Sequence, residues 1–249
     1  IAYDNKSSPA LYHVAAVGGA ANKVIDDVNF NATLSPDGRR FAFVRREEGG
    51  DRFLMVGNVD GTGVRKVASR SGADTYGPLA WSPDGRGVAC ACRSFPKTSP
   101  PKLIEILVAD GSERPISPQE RGEINDLAWL ADGSGLIIAA TGPAAVFHQI
   151  WEVSYPGGEA RRITNHPDDY SGISLASNST KLVTGRQDWS FDIWVAQVPE
   201  SGDAKKVTLS KEDGYNGLSW TPDGTIVYAS SANGNTDIWI MDADGSHRK

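Results

Sequence analysis

The sequence predicts an all-β protein, a six-bladed β-propeller of four-stranded antiparallel blades, and three observations carry that expectation. An apolar stretch runs into an Asp-Gly-type turn five times in 249 residues, as LSPDG, WSPDG, WLADG, LASNS and WTPDG, with the Asp or Asn at 37, 84, 132, 178 and 223. The successive intervals of 47, 48, 46 and 45 residues are those of a repeat architecture. A second turn recurs in the same rhythm after segments that alternate apolar and polar residues, near Gly18, Gly61, Gly111, Gly158, Gly202 and Gly245. Between the turns lie short apolar runs, FAFVR, GVACAC, GLIIAA, KLVTG and TIVYAS, of strand length and composition and without a helical period. Four short antiparallel strands per repeat is the pattern of a propeller blade.

Taken in order, with strands a to d running from the inside of a blade outward, the chain enters on IAY, which matches strand b, and YHVAAVGG is strand c with its turn. The third blade shows the full set: LAWSPDG is strand a and its turn, GVACACR strand b, LIEILVADG strand c and ERPIS strand d. The chain leaves on HRK, where strand d of the last blade would begin. At about 42 residues per blade the length fits six, and five inner turns against six outer ones leave five blades plus a partial one as the alternative. Residues 1–249 are expected to form a single domain cut from a longer chain. Trp81, Trp129 and Trp220 end strand a, and Trp151, Trp194 and Trp239 sit in strand c. Recurrence at equivalent positions marks them as core between blades. Trp189, in GRQDWSFD, stands outside the pattern and is the one Trp expected to meet a ligand.

A net charge of −6 argues against a general nucleic-acid or membrane-surface binder, and no apolar run of 18 residues offers a membrane span. Cys90 and Cys92 share a face of strand b and read as small core thiols, since nothing nearby in sequence completes a tetrahedral metal site. His13 and His148 fall in or beside strands c and read as structural. The repeated Asp-Gly pairs need no calcium: Asp accepts backbone hydrogen bonds and Gly supplies positive φ. The N-x-S/T triplets at Asn5, Asn31 and Asn178 carry no assigned function.

Loop length is asymmetric. The a-to-b and c-to-d turns are short and repetitive, whereas the b-to-c and d-to-a connections are long and variable, so binding is expected at the long-loop end. The d-to-a loops read IDDVNFN, RSGADTYG, QERGEIND, NHPDDYSG and KEDGYNG. They place Asp27, Asp74, Glu123, Asp169 and Asp213 in an expected acidic ring at the channel mouth, with Tyr76, Tyr170, Tyr215 and His166 beside them. Such a funnel would draw cations or a basic, extended peptide. The competing expectation is that these carboxylates bond neighbouring backbone amides and hold adjacent blades in register. Arg93, Lys97 and Lys102, with Pro96, Pro100 and Pro101, make one stiff basic tongue among the b-to-c loops.

ARRITNHPDDYSGISLASNSTKLV and GYNGLSWTPDGTIVYASSANGNTDIWIMDADGSHRK resemble the TolB-like, or WD40-like (PD40), propeller repeat, and the likeness runs along essentially the whole chain. The repeat at Leu175–Thr180 departs from it, with LASNST in place of SPDG, which predicts a weaker turn there. IWEVSYPGGEARRIT resembles more narrowly the propellers fused to bacterial serine/threonine protein kinases of acidobacterial type. That resemblance implies a non-catalytic sensor or interaction domain, periplasmic or otherwise extracytoplasmic, that binds a protein, a peptide or a small cell-envelope ligand, with no cofactor and no catalytic residue in this chain. The kinase signatures are absent from it: no Gly-rich nucleotide loop, VAIK-like lysine, HRD or DFG. Similar repeats also stand beside peptidases and in lyases that use metal-bound histidines, which keeps a freestanding TolB-like protein or an enzyme's companion propeller as alternatives.

Overall fold

A computed structural model describes every residue except 1, 5–8, 16, 29, 48, 72–73, 94–99, 118–121, 143–144, 146, 165–167, 189, 199–202, 209–212 and 231–235. The described residues form 22 strands and no helix, and therefore no helix long and apolar enough to cross a membrane. The chain divides into two compact units, Ile1–Gln187 and Asp188–Lys249.

In the first unit β1 (Ala2–Asp4), β2 (Ala10–His13) and β3 (Asn22–Asp26) make a three-stranded sheet. Three four-stranded antiparallel sheets follow, each in simple sequence order. The first comprises β4 (Phe30–Leu34), β5 (Arg40–Arg46), β6 (Arg52–Asn58) and β7 (Arg65–Arg70). The second comprises β8 (Thr75–Trp81), β9 (Gly87–Arg93), β10 (Lys102–Leu107) and β11 (Glu113–Pro115), and the third β12 (Ile124–Trp129), β13 (Gly135–Thr141), β14 (His148–Ser154) and β15 (Ala160–Arg162). The hairpin β16 (Asp169–Leu175)–β17 (Leu182–Gln187) ends the unit. The inner strands β4, β8, β12 and β16 pack on one another in succession, and each pairs with its neighbour through a shift of register at the same place, as at Tyr76/Leu79 and Ile124/Asp126.

The apolar runs of β5, β9 and β13 are continuous because both faces of these second strands are covered. On β5, Phe41 and Phe43 join the cluster of Leu11 and Val28, whereas Ala42 and Val44 join that of Trp81 and Cys90. On β9, Val88, Cys90 and Cys92 face the preceding sheet, and Ala89 and Ala91 the following one with Trp129 and Ile138. On β13, Leu136, Ile138 and Ala140 look back while Ile137 and Ala139 look toward Ile173 and Leu182. A strand period of two feeding two cores is what consecutive face-packed sheets demand.

Turn chemistry repeats too. Asp37 accepts from the Ser35 hydroxyl (2.5 Å) and the Arg39 amide (3.0 Å), and Asp84 does the same with Ser82 and Arg86. In LASNST the turn is kept, against the expectation of a weak one: Asn178 accepts from the Thr180 amide and hydroxyl, and Ser179 takes φ +54° where its counterparts are Gly. Its hydroxyl also accepts from the Ala131 amide of the preceding repeat at 2.7 Å. At the outer turns, Gly61 and Gly111 combine positive φ with close approach, since a Cβ would stand 2.4 Å from the Val24 carbonyl oxygen and 2.2 Å from that of Val67. Only Gly fits such a turn against the outer strand of the preceding sheet.

In the second unit β18 (Trp194–Val195) pairs with β19 (Lys205–Lys206), and β20 (Leu218–Trp220), β21 (Thr225–Ser230) and β22 (Asp237–Asp242) form a three-stranded sheet. Beyond β22, Lys249 exchanges backbone hydrogen bonds with Ile240. Ile193, Val207, Ile226, Tyr228 and Met241 are its core. Trp81 and Trp129 are buried as expected, but Trp194 and Trp220 keep 58% and 55% of their surface exposed. The expectation that every recurring Trp is core fails at these two, which lie on strands of two and three residues that are largely exposed.

Candidate functional site

The long-loop end gathers its charged groups into pairs that join one sheet to the next. Arg45, next to last in β5, donates to the Asp26 carbonyl (3.1 Å), and Arg52, opening β6, donates to the Asp74 carbonyl (3.0 Å). Arg93, ending β9, meets Glu123 at 3.5 Å. Asp169, opening β16, accepts from the His148 amide at 2.6 Å and lies 2.9 Å from His148 Nδ1. Beside it the buried Asp168 carboxylate pairs with Arg186, and its carbonyl accepts from the Gln149 amide group at 2.7 Å. Asp126 accepts from the Ile173 amide (2.6 Å) and from that of Leu127 (2.8 Å), and burial pushes its carboxyl up from the usual range.

The residues expected at the channel mouth thus separate. Glu123 and Asp169 act as sheet-to-sheet clamps, as does the backbone of Asp74. Asp27 is exposed on the β3–β4 connection with φ +60°. Tyr76 presents almost no surface: its ring is 3% exposed among Cys90, Cys92 and Ile104, and burial raises its phenol well above the ordinary value. Tyr170 packs on the Ile137–Ile150 cluster. In the second unit Asp213 is buried, with one carboxylate oxygen lacking a hydrogen-bond partner, and Tyr215 is half exposed against Phe191. His166 and Trp189 lie outside the described residues, as do Pro96 and Lys97 of the basic tongue.

A small cavity of about 220 Å³ opens beside Asp74, lined by Arg70, Arg93, Lys102, Glu113 and Cys92. Arg70 bonds Glu113 at 2.6 Å and approaches Cys92 Sγ at 3.7 Å. The two thiols are free, buried and 3.4 Å apart, as core thiols should be. The contact from Cys90, reinforced by Arg70, holds the Cys92 thiol low, whereas burial pushes Cys90 up. Sequence reasoning had found Glu123 and Asp169 through the loops that carry them. It missed their cationic partners, because Arg93 and His148 lie 30 and 21 residues away in sequence.

This arrangement of sheets occurs in TolB of Acinetobacter baumannii, whose structure aligns over 96% of this chain and 58% of that one with a TM-score of 0.61 and 16% identity. The fold is that of a TolB-like β-propeller. Among curated proteins, dipeptidyl-peptidase 5 of Porphyromonas gingivalis is 24% identical over 188 residues, 72% of this chain and 27% of that enzyme. The uncharacterized peptidase YuxL of Bacillus subtilis is 29% identical over 181 residues, 69% of this chain and 22% of that one. The chain therefore spans about a quarter of the length of these two relatives. No protein-family model matches it.

Proposed function

We propose that this chain is a non-catalytic binding propeller of six blades in one domain, which recognises a protein or an extended peptide at its long-loop end. The observation that carries the reading is the use of the charged groups there. Glu123 and Asp169 are spent on holding neighbouring sheets and Asp168 on tying its own hairpin to Arg186, which makes a rigid rim rather than a reactive centre. Rigid rims with exposed groups on their connections favour recognition with little loss of conformational freedom on binding. Asp27 in the first unit and, independently, Tyr215 in the second are exposed groups that would meet a basic partner. By resemblance the parent is a bacterial serine/threonine protein kinase, with this propeller as its extracytoplasmic sensor.

The test is a random-peptide display selection against the chain. Enrichment of basic peptides whose binding weakens about tenfold in Asp27→Asn or, separately, in Tyr215→Ala is the expected outcome, a loss of about 1.4 kcal/mol. Binding that shows no charge preference, or is indifferent to both substitutions, would overturn it. A second reading has its own support in the two peptidase relatives, that the propeller accompanies a peptidase domain. Cloning the gene on both sides of the segment decides between kinase and peptidase parents.

A further inference from the structure

A cavity larger than the one beside Asp74 lies at the opposite end of the first unit from the expected binding rim. It is a groove of about 1020 Å³ framed by the short turns of the sheets β4–β7, β8–β11 and β12–β15. Four guanidinium groups line it, those of Arg40, Arg65, Arg86 and Arg114. In a chain of net charge −6 this is a local reversal of sign.

The carboxylates in the same groove are already engaged. Asp84 accepts from Ser82 Oγ (2.6 Å) and the Arg86 amide (3.0 Å), Asp132 from the Ser134 amide and hydroxyl, and the buried Glu105 from the Tyr155 hydroxyl at 2.7 Å. The arginines are held but not consumed. Arg40 donates one N–H to the Gly85 carbonyl and stacks on Trp81 at 4.8 Å, and Arg65 donates to the Val108 carbonyl at 2.7 Å. A guanidinium carries five donors, so each keeps several for a ligand. Between them the floor is apolar, with Leu107, Val108 and the Trp129 ring, which stands edge-on to Tyr155 at 5.0 Å. Trp129 differs from its counterpart one repeat earlier: Trp81 donates its indole N–H to the Thr33 carbonyl at 3.1 Å, whereas the buried Trp129 Nε1 has no acceptor.

The next groove around, about 560 Å³ and framed by the turns of β12–β13 and β16–β17, supplies an internal comparison. Its described lining contains Asp132 and Glu152 and no basic residue. Of these two grooves, the Arg40–Tyr155 one is cationic around an apolar floor. We propose that this groove is a docking site for an acidic peptide segment of a partner protein, with Asp or Glu side chains paired to the arginines and apolar side chains on the Val108–Trp129 floor. Its size exceeds what an inorganic anion fills, and bidentate Arg–carboxylate pairs supply orientation as well as attraction.

The test is fluorescence polarisation with a labelled peptide of alternating Glu and Leu, compared with its Gln and Lys counterparts. Variants are Arg86→Ala/Arg114→Ala, both exposed, and Trp129→Phe, which keeps a ring and removes the N–H. The Glu peptide should bind while the Gln and Lys peptides do not, weaken about tenfold or more in the double variant, and weaken as ionic strength rises from about 0.05 to about 0.2 M. Trp129→Phe should cost several-fold, with an unchanged melting temperature in the double variant as the folding control. Equal binding of the Gln peptide, an affinity untouched by the double arginine variant, or displacement by inorganic phosphate at equimolar concentration would overturn the proposal. Because the rim reading is probed with basic peptides and Asp27/Tyr215 variants, either can fail without the other.

Discussion

Single atoms decide where this chain tolerates change. Gly111 and Gly133 share φ +75°, yet a Cβ at Gly111 would stand 2.2 Å from the Val67 carbonyl oxygen while one at Gly133 meets nothing within 4 Å. Gly133→Ala should therefore cost about 1 kcal/mol, the strain of a left-handed alanine, and Gly111→Ala about 3 kcal/mol or more, because the neighbouring sheet must also move. Urea denaturation of the two variants measures the difference, and equal losses would show that the close approach is relieved at no cost. The buried Trp and Cys residues of the first unit were legible in the sequence because the repeat fixes which positions lie between sheets. Tyr76 was not: its loop-like neighbours hid that β8 starts at Thr75 and carries the ring into the core.

At the scale of the turn, the chain repeats one device with variable parts. Asp37, Asp60, Asp84, Asp110 and Asp132 each accept hydrogen bonds from the Ser, Thr or backbone amide of their own turn, which hold their carboxyls below the ordinary range. A carboxyl lowered in the folded state adds stability above its unfolded value, near 4, and loses it as pH falls through the lowered value. The urea midpoint should thus be flat above about pH 5 and fall steeply below about pH 4, with a shallower fall in Asp84→Asn. Ser179 combines strain at φ +54° with a bond to the Ala131 amide. Ser179→Ala keeps the strain and loses the bond, costing about 1 kcal/mol, whereas Ser179→Gly relieves one as it loses the other and should be near neutral in melting temperature. The motif departure at this turn was visible in the sequence, but its compensation was not, since the acceptor and donor are 48 residues apart.

Across the whole molecule, protection should follow burial rather than sequence order. β13 is buried at every residue, while β18 and β19 are two residues each and mostly exposed. Hydrogen exchange should open the β18–β19 amides first, near zero free energy, and those of β13 only with global unfolding. Uniform exchange would mean that the sheets open as one cooperative block. The all-β repeat was legible from turn spacing alone, because glycine and aspartate mark the turns directly. The cationic groove was not, because Arg40, Arg65, Arg86 and Arg114 come from strand ends and turns that look like ordinary solvated surface in sequence. Four of the sheet-to-sheet bonds share one more property: Trp81 to Thr33, Ala131 to Ser179, Ile173 to Asp126 and Arg40 to Gly85 span 48, 48, 47 and 45 residues. Each bond reaches one repeat and no further. Duplication or excision of a whole repeat would therefore hand most donors a corresponding acceptor, whereas a handful of inserted residues within a strand would throw every bond on that strand out of phase. Changes in chain length should accordingly have been accepted in quanta, which gives such a scaffold a route to new grooves by copying old ones.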